Sequence, residues 1–288
     1  MKRKIALIGL LCVLLNGCAA HTQPAQVVAT TLPVYEFTAA LCQDTDITVC
    51  RLVSESVTCL HDYALSVSQV RAVEGAQVVV QSGAGLEDFL SDLLIGKQTI
   101  DCSEGVPLLQ CHHDHDHDHA HTHETDAHIW LSPANAMVMA ENICAGLSKS
   151  YPAYAERFSV NLQTLLQKIA AVDAYGKAQL SSLTTREMIT FHDGFSYFAD
   201  AFDLEILHAI EEESGSEASA AELIALISLA KEHKVEAVFT ERNGHASAAD
   251  VICREIDGRS YALDMAMSGE SWFSAMYYNI DTVKEALG

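Results

Sequence analysis

The chain has 288 residues, of which 49% are hydrophobic, with 17 Lys and Arg against 39 Asp and Glu and a formal net charge of −22 at pH 7. So acidic a surface repels nucleic acid, whose binding needs clustered Lys and Arg, and makes cations the natural partners. Nine cysteines occur without a CxxC pair, which argues against a thiolate zinc cluster of the finger type.

Met1-Lys2-Arg3-Lys4 followed by the apolar "IALIGLLCVLL" reads as an export signal over 1–17, too short to span a membrane as a mature helix. Cys18, directly after Gly17, resembles the lipobox cysteine that is acylated and becomes the mature N-terminus. The expected product is exported and tethered to the bacterial membrane by lipid, at the cell surface or the periplasmic face. Residues 18–25 are the tether, and about 270 residues remain, enough for two lobes. Besides Cys12 and Cys18 there are seven cysteines, so at least one stays unpaired; Cys42–Cys50 and Cys102–Cys111 are nearest in sequence and are the expected disulfides.

From 26 to 150 the pattern is that of an α/β lobe. "ITVCRLV" (47–53) and "AQVVVQSG" (76–83) read as buried parallel strands, and "LEDFLSDLL" (86–94) as a helix. Another helix starts at Ser132-Pro133, with Ser as N-cap and Pro in the first turn. Between them, in 111–127, runs "CHHDHDHDHAHTHETDA", with His112, His113, His115, His117, His119, His121 and His123 spaced largely by aspartate. The run is either a solvated spacer or a metal-handling loop.

From 151 to 185 no strand-like run occurs, and Phe158, Leu162, Leu165, Leu166 and Ile169 form one helical stripe. One linking helix of roughly 45 Å spans two lobes, or two shorter helices break near Gly176. Strand–helix alternation resumes over 186–288, so the expected fold is α/β: two lobes, each a mainly parallel sheet flanked by helices, joined by one long helix.

Metal-capable side chains fall at strand ends. His61 follows the 47–53 strand and its loop, His192 directly follows "REMITF", and Glu241 directly follows "VEAVFT". Open α/β sheets bind ligands beyond the carboxyl ends of their strands. His128, at the exit of the histidine run, can join them. A lone histidine at a strand end is more often a hydrogen-bonded structural residue, the reading kept for His208; His233 reads as solvent-exposed and His245 as a surface neighbour of a helix start.

Taken together, "LHDYALS", "DAHIWLSP" and "FHDGFSYF" resemble the three histidine motifs of the zinc/manganese-binding proteins of bacterial ABC metal-uptake systems. The likeness continues through "AVFTE" and "GESWFSAMYYNID" and covers nearly all of the chain after the signal. It implies a non-enzymatic, monomeric solute-binding lipoprotein that holds a metal between two lobes and delivers it to a membrane permease. It also implies His61 and His128 as N-lobe ligands and His192 as the first C-lobe ligand. Glu241, Glu270 and water compete for the fourth position, with Glu270, where many members carry aspartate, slightly favoured. Each ligand imidazole should give its other ring nitrogen to an acceptor, for which Asp62 and Asp193 are sequence neighbours.

A histidine-rich loop at this place goes, in resembling proteins, with Zn2+; Mn2+ or iron is the alternative cargo within the family. A metal-dependent hydrolase is a further alternative, weakened because His192 ends a strand and no GxSxG or HExxH occurs. A purely adhesive surface protein is the third class considered.

Overall fold

The computed structural model describes residues 25–54, 60, 63–110, 125–211, 219–242 and 247–288. In the first lobe four strands, β1 (Val27–Ala29), β2 (Val49–Arg51), β3 (Val78–Gln81) and β4 (Gln98–Asp101), form an all-parallel sheet in the order β2-β1-β3-β4. Helices α1 (Leu32–Leu41), α2 (Val67–Gly75) and the short α3 (Ser91–Leu94) connect them. The second lobe repeats the plan with β5 (Glu187–His192), β6 (Glu205–Glu211), β7 (Ala237–Glu241) and β8 (Arg259–Leu263), parallel and ordered β6-β5-β7-β8. Helices α6 (Ser196–Ala201), α7 (Ala220–His233), α8 (Ser247–Ile256) and α9 (Trp272–Leu287) accompany it.

The central strands are apolar on both faces because both faces are covered: every residue of β1, and Val78 to Val80 in β3, is buried. Outer faces have their own cores, Val28, Val73, Val79 and Leu90 in the first lobe and Ile189, Leu226, Val238 and Ile252 in the second. Inner faces share one continuous core that runs from Val27 and Phe37 to Phe239, Leu263 and Met276. α4 (Pro133–Ser150) and α5 (Ala155–Gln179) lie along this shared core.

α5 is one unbroken helix of 25 residues, about 38 Å long. It is tied to the first lobe by Asn161, which donates to the Leu41 and Gln43 carbonyls at 2.8 Å each. It is tied to the second by the Tyr175 hydroxyl, 2.6 Å from Asp281 Oδ1. Gly176 does not break it: a Cβ there would come within 2.2 Å of the Phe202 ring, so the glycine admits that ring against the helix. The expected stripe is its buried face, with Leu162 and Leu166 at the margin.

Two tryptophans close the seam between the lobes. Trp130 Nε1 donates to the Met265 carbonyl (2.8 Å), and Trp272 Nε1 donates to the Trp130 carbonyl (2.9 Å), so both buried indoles have partners. Glu36 on α1 accepts from the Ser271 hydroxyl (2.8 Å) and the Trp272 amide (2.6 Å) at the start of α9, and Arg51 donates to the Gly269 carbonyl (2.9 Å).

The expected Cys42–Cys50 disulfide is not formed, and Cys102 is also a free thiol; Cys111, its expected partner, lies outside the described residues. Cys42 sits in the shared inner core while Cys50, on β2, packs against the outer core of the first lobe. The sheet separates the two thiols, a consequence of side-chain alternation along a strand. Burial pushes the Cys42 thiol up to about 12, so it is no ready nucleophile.

Glu87 is buried at the carboxyl ends of β1 and β3, where it accepts from Thr30 Oγ1 (2.5 Å), the Ser82 amide (2.7 Å) and the Gly83 amide (3.0 Å). Burial outweighs these bonds and pushes its carboxyl from 4.5 up to about 7. Folding therefore takes up a proton between these values: the stability from this group is full below about 4.5 and is lost as pH rises through about 7. In the zinc-free protein, the wild type should gain up to about 1 kcal/mol per pH unit relative to Glu87→Gln as pH falls from 8 to 6. Denaturant unfolding of both proteins at three pH values checks this; equal pH dependence would remove Glu87 as the source.

Candidate metal centre between the lobes

The strand order of the second lobe reverses between β5 and β7, the place where open α/β sheets leave a crevice at the strand ends. β5 ends in His192 and β7 in Glu241. Their register pairs Thr190 with Phe239, so the next residues on the same face, His192 and Glu241, stand side by side. His192 Nδ1 is 2.8 Å from Glu241 Oε1, with both side chains nearly buried.

His128 comes from the other side of the crevice, at the entry to the turn Ile129–Leu131 that precedes α4. Its Nδ1 is 2.8 Å from Asp126 Oδ1, the same oxygen that accepts the His128 amide at 2.8 Å. The two imidazoles meet with Nε2 atoms 3.4 Å apart and ring planes at 86°; His128 is 2% exposed and His192 7%. Gly194 makes this placement of His192 possible, because a Cβ there would lie 2.6 Å from Cδ2 and 2.9 Å from Nε2 of His192.

The chemistry follows from the partners. A carboxylate only accepts, so each Nδ1 carries its hydrogen, and a ring in its neutral form turns an Nε2 lone pair toward the other. Two lone pairs facing each other in a buried space repel, and a cation between them removes the conflict. With zinc–nitrogen bonds of 2.0–2.1 Å, the edge of a tetrahedron is about 3.3–3.4 Å, which matches the observed separation. Carboxylates behind both rings fix the tautomer and add negative charge near the cation without occupying its coordination positions.

Of the sequence candidates, the structure brings together His128 and His192 and puts Glu241 behind His192, on the nitrogen that faces away from His128. That is the acceptor role for which Asp193 was the sequence neighbour. Glu270 is exposed on the turn before α9 and is not brought to the pair. Among the described residues no three His, Cys, Asp or Glu side chains converge on one point. His61, Asp62, His245, Cys18, Cys111 and the seven loop histidines lie outside the described residues. His208 is half-buried on β6, and His233 is not simply solvated: its Nδ1 is 3.2 Å from Glu187 Oε1. Asp126 was missed by the sequence reading, although its spacing in "DAH" was the available signal.

Several comparisons bear on this centre. AdcA of Streptococcus pneumoniae, named a zinc-binding lipoprotein, is 29% identical over 99% of this chain and 61% of its own length. The crystal structure of ZnuA superposes with a TM-score of 0.79 at 26% identity, covering 92% of this chain and all of that one. The Zn(II)-bound ZnuA-like domain of Streptococcus pneumoniae AdcA does so with a TM-score of 0.75 at 27% identity, covering 91% and 98%. The chain spans between 55% and 61% of the length of the streptococcal relatives that it matches. The family model for ZnuA, zinc-uptake complex component A, periplasmic, matches residues 27–286, and the chain belongs to this family.

Proposed function

We propose that this protein captures Zn2+ between its lobes and delivers it to the membrane permease of an ABC import system. The observation that carries the reading is the pair of buried imidazoles, Nε2 atoms 3.4 Å apart, each with its Nδ1 on a carboxylate. His61 joins them as the third ligand, and water or Glu270 takes the fourth position. A nitrogen-dominated donor set suits zinc over manganese, and keeping Asp126 and Glu241 behind the rings preserves that set. The chain is exported and held to the membrane by lipid on Cys18, in keeping with the lipoprotein named among its relatives, and works as a monomer. Among the described residues no helix is long and apolar enough to cross a membrane.

The seven loop histidines supply weak, exchanging sites that raise the local zinc concentration. The stretch carrying them leaves from a closed stem, where Gln110 and Thr125 form an antiparallel bridge and the Asp126 amide donates to the Leu109 carbonyl (2.9 Å). Uptake of radioactive zinc by cells grown in zinc-limited medium tests the function. Cells carrying His192→Ala should lose uptake, and a chain with Asn at the seven loop positions should keep it but need more external zinc. Undiminished uptake with His192→Ala would overturn the reading.

A further inference from the structure

We propose that His128, although it precedes the helices of the first lobe's inner face, is mechanically part of the second lobe, and that Tyr197 is the positioning residue that holds it there. The inference rests on the reading of His128 as a zinc ligand and adds how that ligand is placed.

The segment 126–131 carries His128, and second-lobe residues bond to it on both sides of the histidine. Before it, the Asp126 carbonyl accepts from the Tyr197 hydroxyl at 3.0 Å. After it, Trp130 donates through Nε1 to the Met265 carbonyl and accepts through its carbonyl from Trp272 Nε1. To the first lobe the segment itself bonds through the Asp126 amide on the Leu109 carbonyl, in the stem, and α4 is fixed by Asn142, which donates to the Cys102 and Glu104 carbonyls at 3.0 and 2.7 Å.

Two of these anchors, Tyr197 and Met265, lie close to His192. Tyr197 lies on α6, which begins four residues after His192, and Met265 shares with His192 the space that a Gly194 side chain would fill. The Tyr197 hydroxyl also accepts from the Leu109 amide at 2.9 Å, so one buried oxygen clasps both strands of the stem, Leu109 and Asp126. Asp126 in turn holds the His128 ring by Nδ1. The chain of contacts runs from α6 through Tyr197 and Asp126 to the ligand nitrogen, and it sets the distance between the two Nε2 atoms before metal arrives. Zinc then meets a preassembled two-histidine half-site on one lobe, and a relative shift of the lobes leaves this pair intact.

The test is a double-mutant cycle in the full chain with Asn at the seven loop histidine positions, read as the zinc dissociation constant by chelator competition. Tyr197→Phe removes one oxygen and should weaken zinc binding about 10-fold. It should leave binding unchanged within twofold when combined with His128→Ala, because no positioned ring remains to be misplaced. Co2+ bound to Tyr197→Phe should also show an altered visible d–d spectrum. Trp130→Phe, which loses the Met265 bond while keeping an aromatic ring, should repeat the pattern and stands in should Tyr197→Phe fail to fold. An equal loss with and without His128, or no loss at all, overturns the positioning role. No tight zinc site in the parent chain, or none lost with His128→Ala, overturns the zinc reading itself.

Discussion

His192→Ala and His128→Ala each lower zinc affinity by at least about 100-fold, more than the loss expected from an outer partner. Each leaves one imidazole and its buried carboxylate without a common partner, so the remaining ligands cannot compensate. Both side chains are nearly buried in a space shared with Trp130 and Met265, and the alanines remove volume as well as nitrogen. Chelator competition against zinc, with the unfolding temperature of the zinc-free protein measured alongside, separates the two effects. An affinity within threefold of wild type for either variant would mean that the pair is structural. Protons compete with metal for imidazole, so wild-type affinity should fall below about pH 6. Affinity that stays flat down to pH 4.5 would contradict histidine ligation.

The second large effect is expected from the carboxylates behind the rings. Asp126→Asn and Glu241→Gln should each cost about 10- to 100-fold in zinc affinity without abolishing the site. An amide can still accept from Nδ1 through its oxygen, but it no longer supplies charge toward a cation in a region of low dielectric. Glu241→Ala removes the acceptor too and should cost more than Glu241→Gln. Glu270→Ala, by contrast, should cost less than any of these, since its side chain is exposed. A loss with Glu270→Ala that exceeds that with Glu241→Gln would give the fourth position to Glu270 and not to water.

Much of this architecture was legible in the sequence because it rests on periodicity. The strands 78–81 ("VVVQ") and 187–192 ("EMITFH") are mainly apolar without a polar–apolar alternation, as strands covered on both faces tend to be, and α5 carries a stripe at helical spacing. β4 was not legible, since it is an edge strand in which only Ile100 of "QTID" is buried, so its pattern does not stand out from a loop. The helix expected over 86–94 is instead the turn Asp88–Leu90 and the four residues of α3. His192 and Glu241 stand at the strand ends where the sequence puts them, yet their contact through His192 Nδ1 depends on the parallel register of β5 and β7, which no single-strand pattern contains. The same holds for the two cysteines: nearness in sequence suggested a bond, and the sheet between them forbids it. Asp126, Tyr197 and the paired tryptophans are tertiary facts, visible only once segment 126–131 has been laid against the second lobe.

The measurement that bears most directly on the central claim is a competitive metal titration of the mature chain with Asn at the seven loop histidine positions. One tight zinc site that a large excess of manganese does not displace is expected, since two buried imidazoles are already set at the edge length of a zinc tetrahedron. Manganese that displaces zinc, or the absence of any tight site once the loop is silenced, would contradict that claim.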